Sequence, residues 1–99
     1  MKVRLFVRDG DIYSDEARNL LEKNEIDYEE INCDLEKNIN MCRNILNVVP
    51  TLEMPSGELI TGYFDILDRI DEIKRIAKKE KKVEEEEKSE IVYEYEVIE

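Results

Sequence analysis

Four residues near the start of the chain, Asp11-Ile12-Tyr13-Ser14, and two cysteines, Cys33 and Cys42, have types and spacing that could do chemistry. Asp11 precedes a segment with helical apolar periodicity. Asp is among the best helix N-caps, because its carboxylate accepts from first-turn N–H groups that otherwise lack a partner. Ser14 is either a first-turn residue or the cap itself. As a nucleophile it would need a base, and the chain contains no His, so serine catalysis is not expected. The missing His also removes the commonest general base and metal ligand near neutral pH. No metal centre, catalytic residue or cofactor is expected. Cys33 ends a strand-like segment, and Cys42 lies on the apolar stripe of a helical one. Two small buried hydrophobes are the simplest reading. With two cysteines and no pairing pattern, a disulfide framework is not expected. A displaced redox pair is the sharper alternative, since nine intervening steps permit a bridge without implying one.

The elements that must position these groups follow from hydrophobic period. Val3, Leu5 and Val7 alternate with Arg4, Phe6 and Arg8, which predicts a short strand. Asp9-Gly10-Asp11 breaks it. Ala17, Leu20 and Leu21 then sit at helical spacing, with Asp15 and Glu16 early and Asn24 at the end. Ile26 to Cys33 reads as a second strand. Asp34 is expected to cap a second helix with Leu35, Ile39, Cys42 and Leu46 inward. Val48 to Leu52 opens a third strand, Pro55-Ser56-Gly57 turns it, and Leu59-Ile60-Thr61 returns as a hairpin partner. A third helix is expected from about Asp65, with Ile66, Leu67, Ile70, Ile73 and Ala77 on one face. The order βαβαββα predicts an α/β fold whose first crossover makes a parallel pair.

At 99 residues the chain fits one domain. Its net charge of -11 argues against nucleic acid or an anionic membrane as partner, both being polyanions. No apolar run approaches membrane-spanning length, and Met1-Lys2-Val3-Arg4 leads into a strand rather than a signal peptide. The expected location is the cytoplasm. Residues 78–90 form a charge run, read as a helix extension or linker. In residues 91–99, Ile91, Tyr93, Tyr95 and Val97 alternate with Val92, Glu94, Glu96 and Ile98. That pattern predicts an extra strand, which pairs with the chain's own sheet edge or with a second copy to give a homodimer.

Residues 2 to about 77 resemble a glutaredoxin of the thioredoxin superfamily. The resemblance rests on five stretches in order. They are Val3-Arg4-Leu5-Phe6-Val7, Ala17-Arg18-Asn19-Leu20-Leu21, Ile26-Asp27-Tyr28-Glu29-Glu30-Ile31-Asn32, Val49-Pro50-Thr51 and Thr61-Gly62-Tyr63-Phe64-Asp65-Ile66-Leu67. It implies a thioredoxin-like three-layer fold over residues 1–77 and a cis peptide before Pro50. It also implies that Val49, Pro50, Thr51, Gly62, Tyr63 and Asp65 could bind a peptide or a glutathione-like thiol. Tyr13, Tyr63 and Phe64 would cluster at the same rim. Where the family carries Cys-Pro-Tyr-Cys, this chain has Asp11-Ile12-Tyr13-Ser14. Neither carboxylate nor hydroxyl can form a mixed disulfide. Relatives that hold an iron–sulfur cluster use the first cysteine, so Asp11 departs from that activity too. Thr61 and Phe64 replace a glycine and an acid of the last stretch. Asp11, Tyr13 and Ser14 therefore mark a degenerate active site. The expected function is a redox-inactive binding or assembly module with a protein or peptide partner. The alternatives are a thiol–disulfide oxidoreductase, acting through Cys33 and Cys42 or with its active-site cysteines replaced, and a structural homodimer built on the C-terminal strand.

Overall fold

The computed structural model describes residues 2–77. The expected helix extension and C-terminal strand lie outside the described residues. Four strands form one mixed sheet in the order β2-β1-β3-β4. β1 (Val3–Val7) runs parallel to β2 (Tyr28–Asn32), with Leu5 opposite Glu30. It runs antiparallel to β3 (Thr51–Glu53), which pairs antiparallel with β4 (Leu59–Thr61). α1 spans Ile12–Lys23, α2 Ile39–Asn44 and α3 Tyr63–Asp68. Residues 70–77 are helical again after a turn at Arg69.

Alternation along β1 sorts the core onto two faces, because successive strand side chains point opposite ways. Val3, Leu5 and Val7 pack with Ala17 and Leu21 of α1 and Ile66 of α3. Phe6 faces the other way and packs with Ile31, Cys42 and Ile45. α1 and α3 thus share one face of the sheet, and α2 covers the other. Each fully buried aliphatic side chain contributes roughly 1.5–3 kcal/mol.

The second helix departs from the expected stripe. Leu35, Ile39 and Leu46 are exposed. Asp34 is not the cap; a 3-10 helix, Glu36–Asn38, precedes α2 and starts after Leu35. Its tighter winding shifts the helical phase, so Asn38, Cys42 and Ile45 turn inward instead. Asn38 is satisfied there, its Nδ2 donating to the Asn32 carbonyl at 2.9 Å. α2 is only six residues long because Leu46 and Asn47 both take left-handed backbone.

The third helix starts two residues earlier than expected, and Leu67 is exposed. Its break at Arg69 carries a charged clamp. The Arg69 guanidinium donates to both Glu58 carboxylate oxygens (2.7 and 3.1 Å) and to Glu72 (2.7 Å). Hydrogen bonds from Arg69 hold the Glu58 and Glu72 carboxyls below their ordinary value and raise Arg69 itself. A carboxyl lowered in the folded state stabilises the fold above its unfolded value, and this contribution fades as pH falls through the lower folded value. Arg69→Gln is therefore expected to flatten the loss of stability on acidification below the ordinary glutamate value of 4.5. Thermal melts at a series of acid pH values check this; parallel curves for both proteins would rule it out.

Candidate functional site

Asp11 is the N-cap of α1, with extended backbone (φ -82, ψ 121). Gly10 reaches it at φ +74, a conformation costly for side chains with a Cβ. The Asp11 Oδ2 accepts from the Ser14 N–H at 2.7 Å and from the Ser14 hydroxyl at 2.8 Å. Ser14 is a first-turn residue, fully buried, and its Oγ accepts in turn from the Arg8 N–H at 3.2 Å. Its hydroxyl proton is thus committed to Asp11, and no reacting group can approach it. The Asp11–Ser14 pair is a closed capping unit that ties α1 to the end of β1.

The loop beside it is cross-linked to the end of β2. The Asp9 N–H donates to Asp34 Oδ2 at 2.8 Å, and Asn32 Nδ2 donates to Asp9 Oδ1 at 2.9 Å. Arg8 faces Asp34 at 3.8 Å.

The Val49–Pro50 peptide is cis, and Pro50 is buried. Thr51 Oγ1 donates to the Val48 carbonyl at 2.6 Å. The Gly62 N–H donates to the Pro50 carbonyl at 2.8 Å. Gly62 has φ +92 and sits immediately before α3, so this bond pins the start of α3 beside the proline. Tyr63 then stacks on Tyr13 with ring centroids 5.9 Å apart. Phe64 meets Tyr13 and Tyr63 edge-on at 5.6 and 5.3 Å. Such offset and edge-to-face geometries add roughly 0.5–1.5 kcal/mol per pair beyond area burial. The expected rim cluster therefore exists, and it joins the start of α1 to the start of α3. Asp65 lies exposed in the first turn of α3. No hydrogen bond of the Val49 N–H or C=O appears among the described residues.

No protein-family model and no curated protein matches the chain. Among solved structures, it is similar to glutaredoxin 1 of Francisella tularensis, crystallised in complex with cacodylate. The TM-score is 0.56 at 23% identity, covering 73% of this chain and 94% of that one. The fold is glutaredoxin-like.

Within this glutaredoxin-like frame, the expected site residues fall into two groups that meet at the start of α3. Asp11, Tyr13 and Ser14 form one, and Val49, Pro50, Thr51 and Gly62 the other, with Tyr63 touching Tyr13 across the gap. Ile12, next to Tyr13 in α1, and Leu67, one turn after Tyr63 in α3, are exposed apolar residues; the sequence offered neither as a site residue and put Leu67 on the apolar face of the third helix. A helical wheel places Ile12 off the buried face of α1, which was the available signal.

The cysteines correct an expectation. Cys33 and Cys42 are not two independent buried thiols; they are bonded, with Cα atoms 5.8 Å apart. The chain leaves β2 at Asn32, passes through the 3-10 helix and returns in α2, which packs on the sheet beside Phe6 and Ile31 and so brings Cys42 into bonding range of Cys33. Cys33 is half-buried, and its N–H donates to the Val7 carbonyl at 2.8 Å. Cys42 is 1% exposed. Among the described residues, no group of three or more His, Cys, Asp or Glu side chains could hold a metal.

Proposed function

We propose that the chain is a redox-inactive docking module that binds an extended peptide segment along the Val49 edge. The observation that carries this reading is the join between two surfaces. The Val49 backbone, just before Pro50, makes no hydrogen bond among the described residues, and the Gly62–Pro50 bond sets the Tyr13–Tyr63–Phe64 cluster beside it. Main-chain pairing would give such a peptide its register, and the rings would grip its apolar side chains. Exposed Asp65, the partly exposed Asp11 and the chain's net charge of -11 favour a partner with flanking Lys or Arg. Asp11 caps the helix where a nucleophilic thiol would be needed, so binding proceeds without exchange chemistry.

The alternative of a thiol–disulfide oxidoreductase draws support from the bonded Cys33–Cys42 pair. Burial of Cys42 in an apolar cluster weighs against fast turnover, because apolar surroundings disfavour the thiolate that must leave.

An NMR titration with Lys-flanked apolar peptides, and separately with reduced glutathione, tests the docking reading. Shifts are expected at Val49, Thr51 and Tyr63 with the peptides; silence at all three with every probe would end it. Asp11→Ala is expected to cost about 1 kcal/mol as a lost cap. Measured beside the titration, it shows whether the carboxylate also contributes to affinity.

A further inference from the structure

We infer that the Cys33–Cys42 disulfide is a modification site for a low-molecular-weight thiol, attacked at Cys33, and that opening it loosens the Val49 edge. Thiol–disulfide exchange needs the incoming thiolate to approach one sulfur from the side opposite the other. Cys33 is half-buried at the end of β2, and the next four residues, 34–37, are exposed. Cys42 is 1% exposed and is walled by Phe6, Ile31 and Ile45. Of the two cysteines, Cys33 is the one whose residue is open to solvent, so it is the one a thiolate meets first. The bond it forms is a mixed disulfide with Cys33, and the bond that breaks is Cys33–Cys42. Cys42 leaves with the electron pair and takes a proton from water. A second thiol, as its thiolate, attacks the small-molecule sulfur of the mixed disulfide and releases Cys33 as a thiolate. Overall, two small thiols are oxidised to one disulfide, and the protein disulfide is reduced to two thiols.

The link to Val49 rests on three other observations. The Cys42 carbonyl accepts from the Asn47 N–H at 3.0 Å and from the Ile45 N–H at 3.3 Å. Cys42 thus anchors the connector that leads to Val48 and Val49. Leu46 and Asn47 in that connector hold φ of 55 and 57, a region that non-glycine residues occupy at a cost unless their surroundings enforce it. Val49 itself packs against the small cluster that contains Cys42. Freeing Cys42 from Cys33 removes the covalent tie that keeps this layer in place, and the connector can then relax.

The coupling to docking rests on the function proposed above; the thiol site does not. The test treats the folded, oxidised full chain with 2-mercaptoethanol, quenches with acid and maps adducts by mass spectrometry. The adduct is expected on Cys33 with none on Cys42. After full reduction, amide shifts are expected to move from Leu46 to Thr51, with those of Ala17, Leu21 and Ile66 unchanged. An adduct on Cys42, reduction that needs denaturant, global unfolding on reduction, or unmoved Val48 and Val49 amides would each overturn the inference. Peptide titration in both redox states separates the two ideas. Peptides that bind neither state defeat the docking reading and leave the Cys33 adduct as an independent result.

Discussion

Asp11→Cys is expected to create a thiol that titrates well below the ordinary cysteine value. A free thiol titrates near 8.5, and helix N-termini lower it to roughly 3.5–7.5. The cap position already holds an anion against the Ser14 N–H and hydroxyl, so the same two donors would receive a thiolate. Because Cys33 and Cys42 are bonded to each other, the introduced thiol is the only free one, and its ultraviolet thiolate absorbance can be followed against pH without a second thiol contributing, the unsubstituted protein serving as the blank for its five tyrosines. A midpoint at least about one unit below 8.5 is expected. The thiol should also form a mixed disulfide with glutathione disulfide. A midpoint at or above 8.5 in a folded protein would mean that the α1 start provides no anion-stabilising field. Asp11 would then cap α1 through its two hydrogen bonds to Ser14 alone.

Leu21→Ala is expected to be the most damaging of the simple substitutions. Leu21 is fully buried between α1 and the sheet, in the cluster that includes Val7, Leu52 and Ile66. Large-to-small changes at such sites cost about 2.7–5 kcal/mol, the transfer loss plus the cavity. Each kcal/mol moves the melting temperature of a domain this size by roughly 4–8 °C, so a fall of roughly 10–40 °C should appear. Leu67→Ala, at a position 40% exposed, should stay within about 0.5 kcal/mol. Leu21 also holds the helix pair whose starts carry Tyr13 and Tyr63. The near-ultraviolet signal of the tyrosines should therefore weaken in Leu21→Ala before the helical signal does. A cost under about 1 kcal/mol would show that the site can collapse around the cavity.

How far the sequence predicted this molecule varies by element. Val3, Leu5 and Val7 were legible because a strand's period of two writes one face directly into the chain. The hairpin at Pro55-Ser56-Gly57 and the Asp11 cap were legible because each depends on neighbours within a few residues. The face of α2 was not. A single 3-10 turn, with nothing distinctive in Glu36-Lys37-Asn38, rotates everything after it. The break at Arg69 was hidden for a different reason: its partner Glu58 is eleven residues away, with β4 and α3 between them. The disulfide was equally hidden, since bonding follows distance in space and not spacing along the chain. At the site, Gly62 bonds Pro50 and Tyr63 stacks on Tyr13, while Asp65 lies exposed in the first turn of α3. Both joins emerge only from the fold.

The sheet's two faces carry cores of unequal depth. Among the described residues, the larger cluster holds eleven buried side chains and the smaller one four. Sub-global opening takes the cheaper route, so the α2 layer should exchange its amide hydrogens well before the α1–α3 layer does. Val49 packs on that thinner layer, whereas Tyr13 and Tyr63 stand on helices of the deeper one. Of the two surfaces that the proposed docking would use, the ring cluster therefore stands on a fixed plate and Val49 on a compliant flap. A peptide docking as proposed above would meet a surface that can fit itself to several related sequences at small energetic cost, which would trade sharp selectivity for breadth.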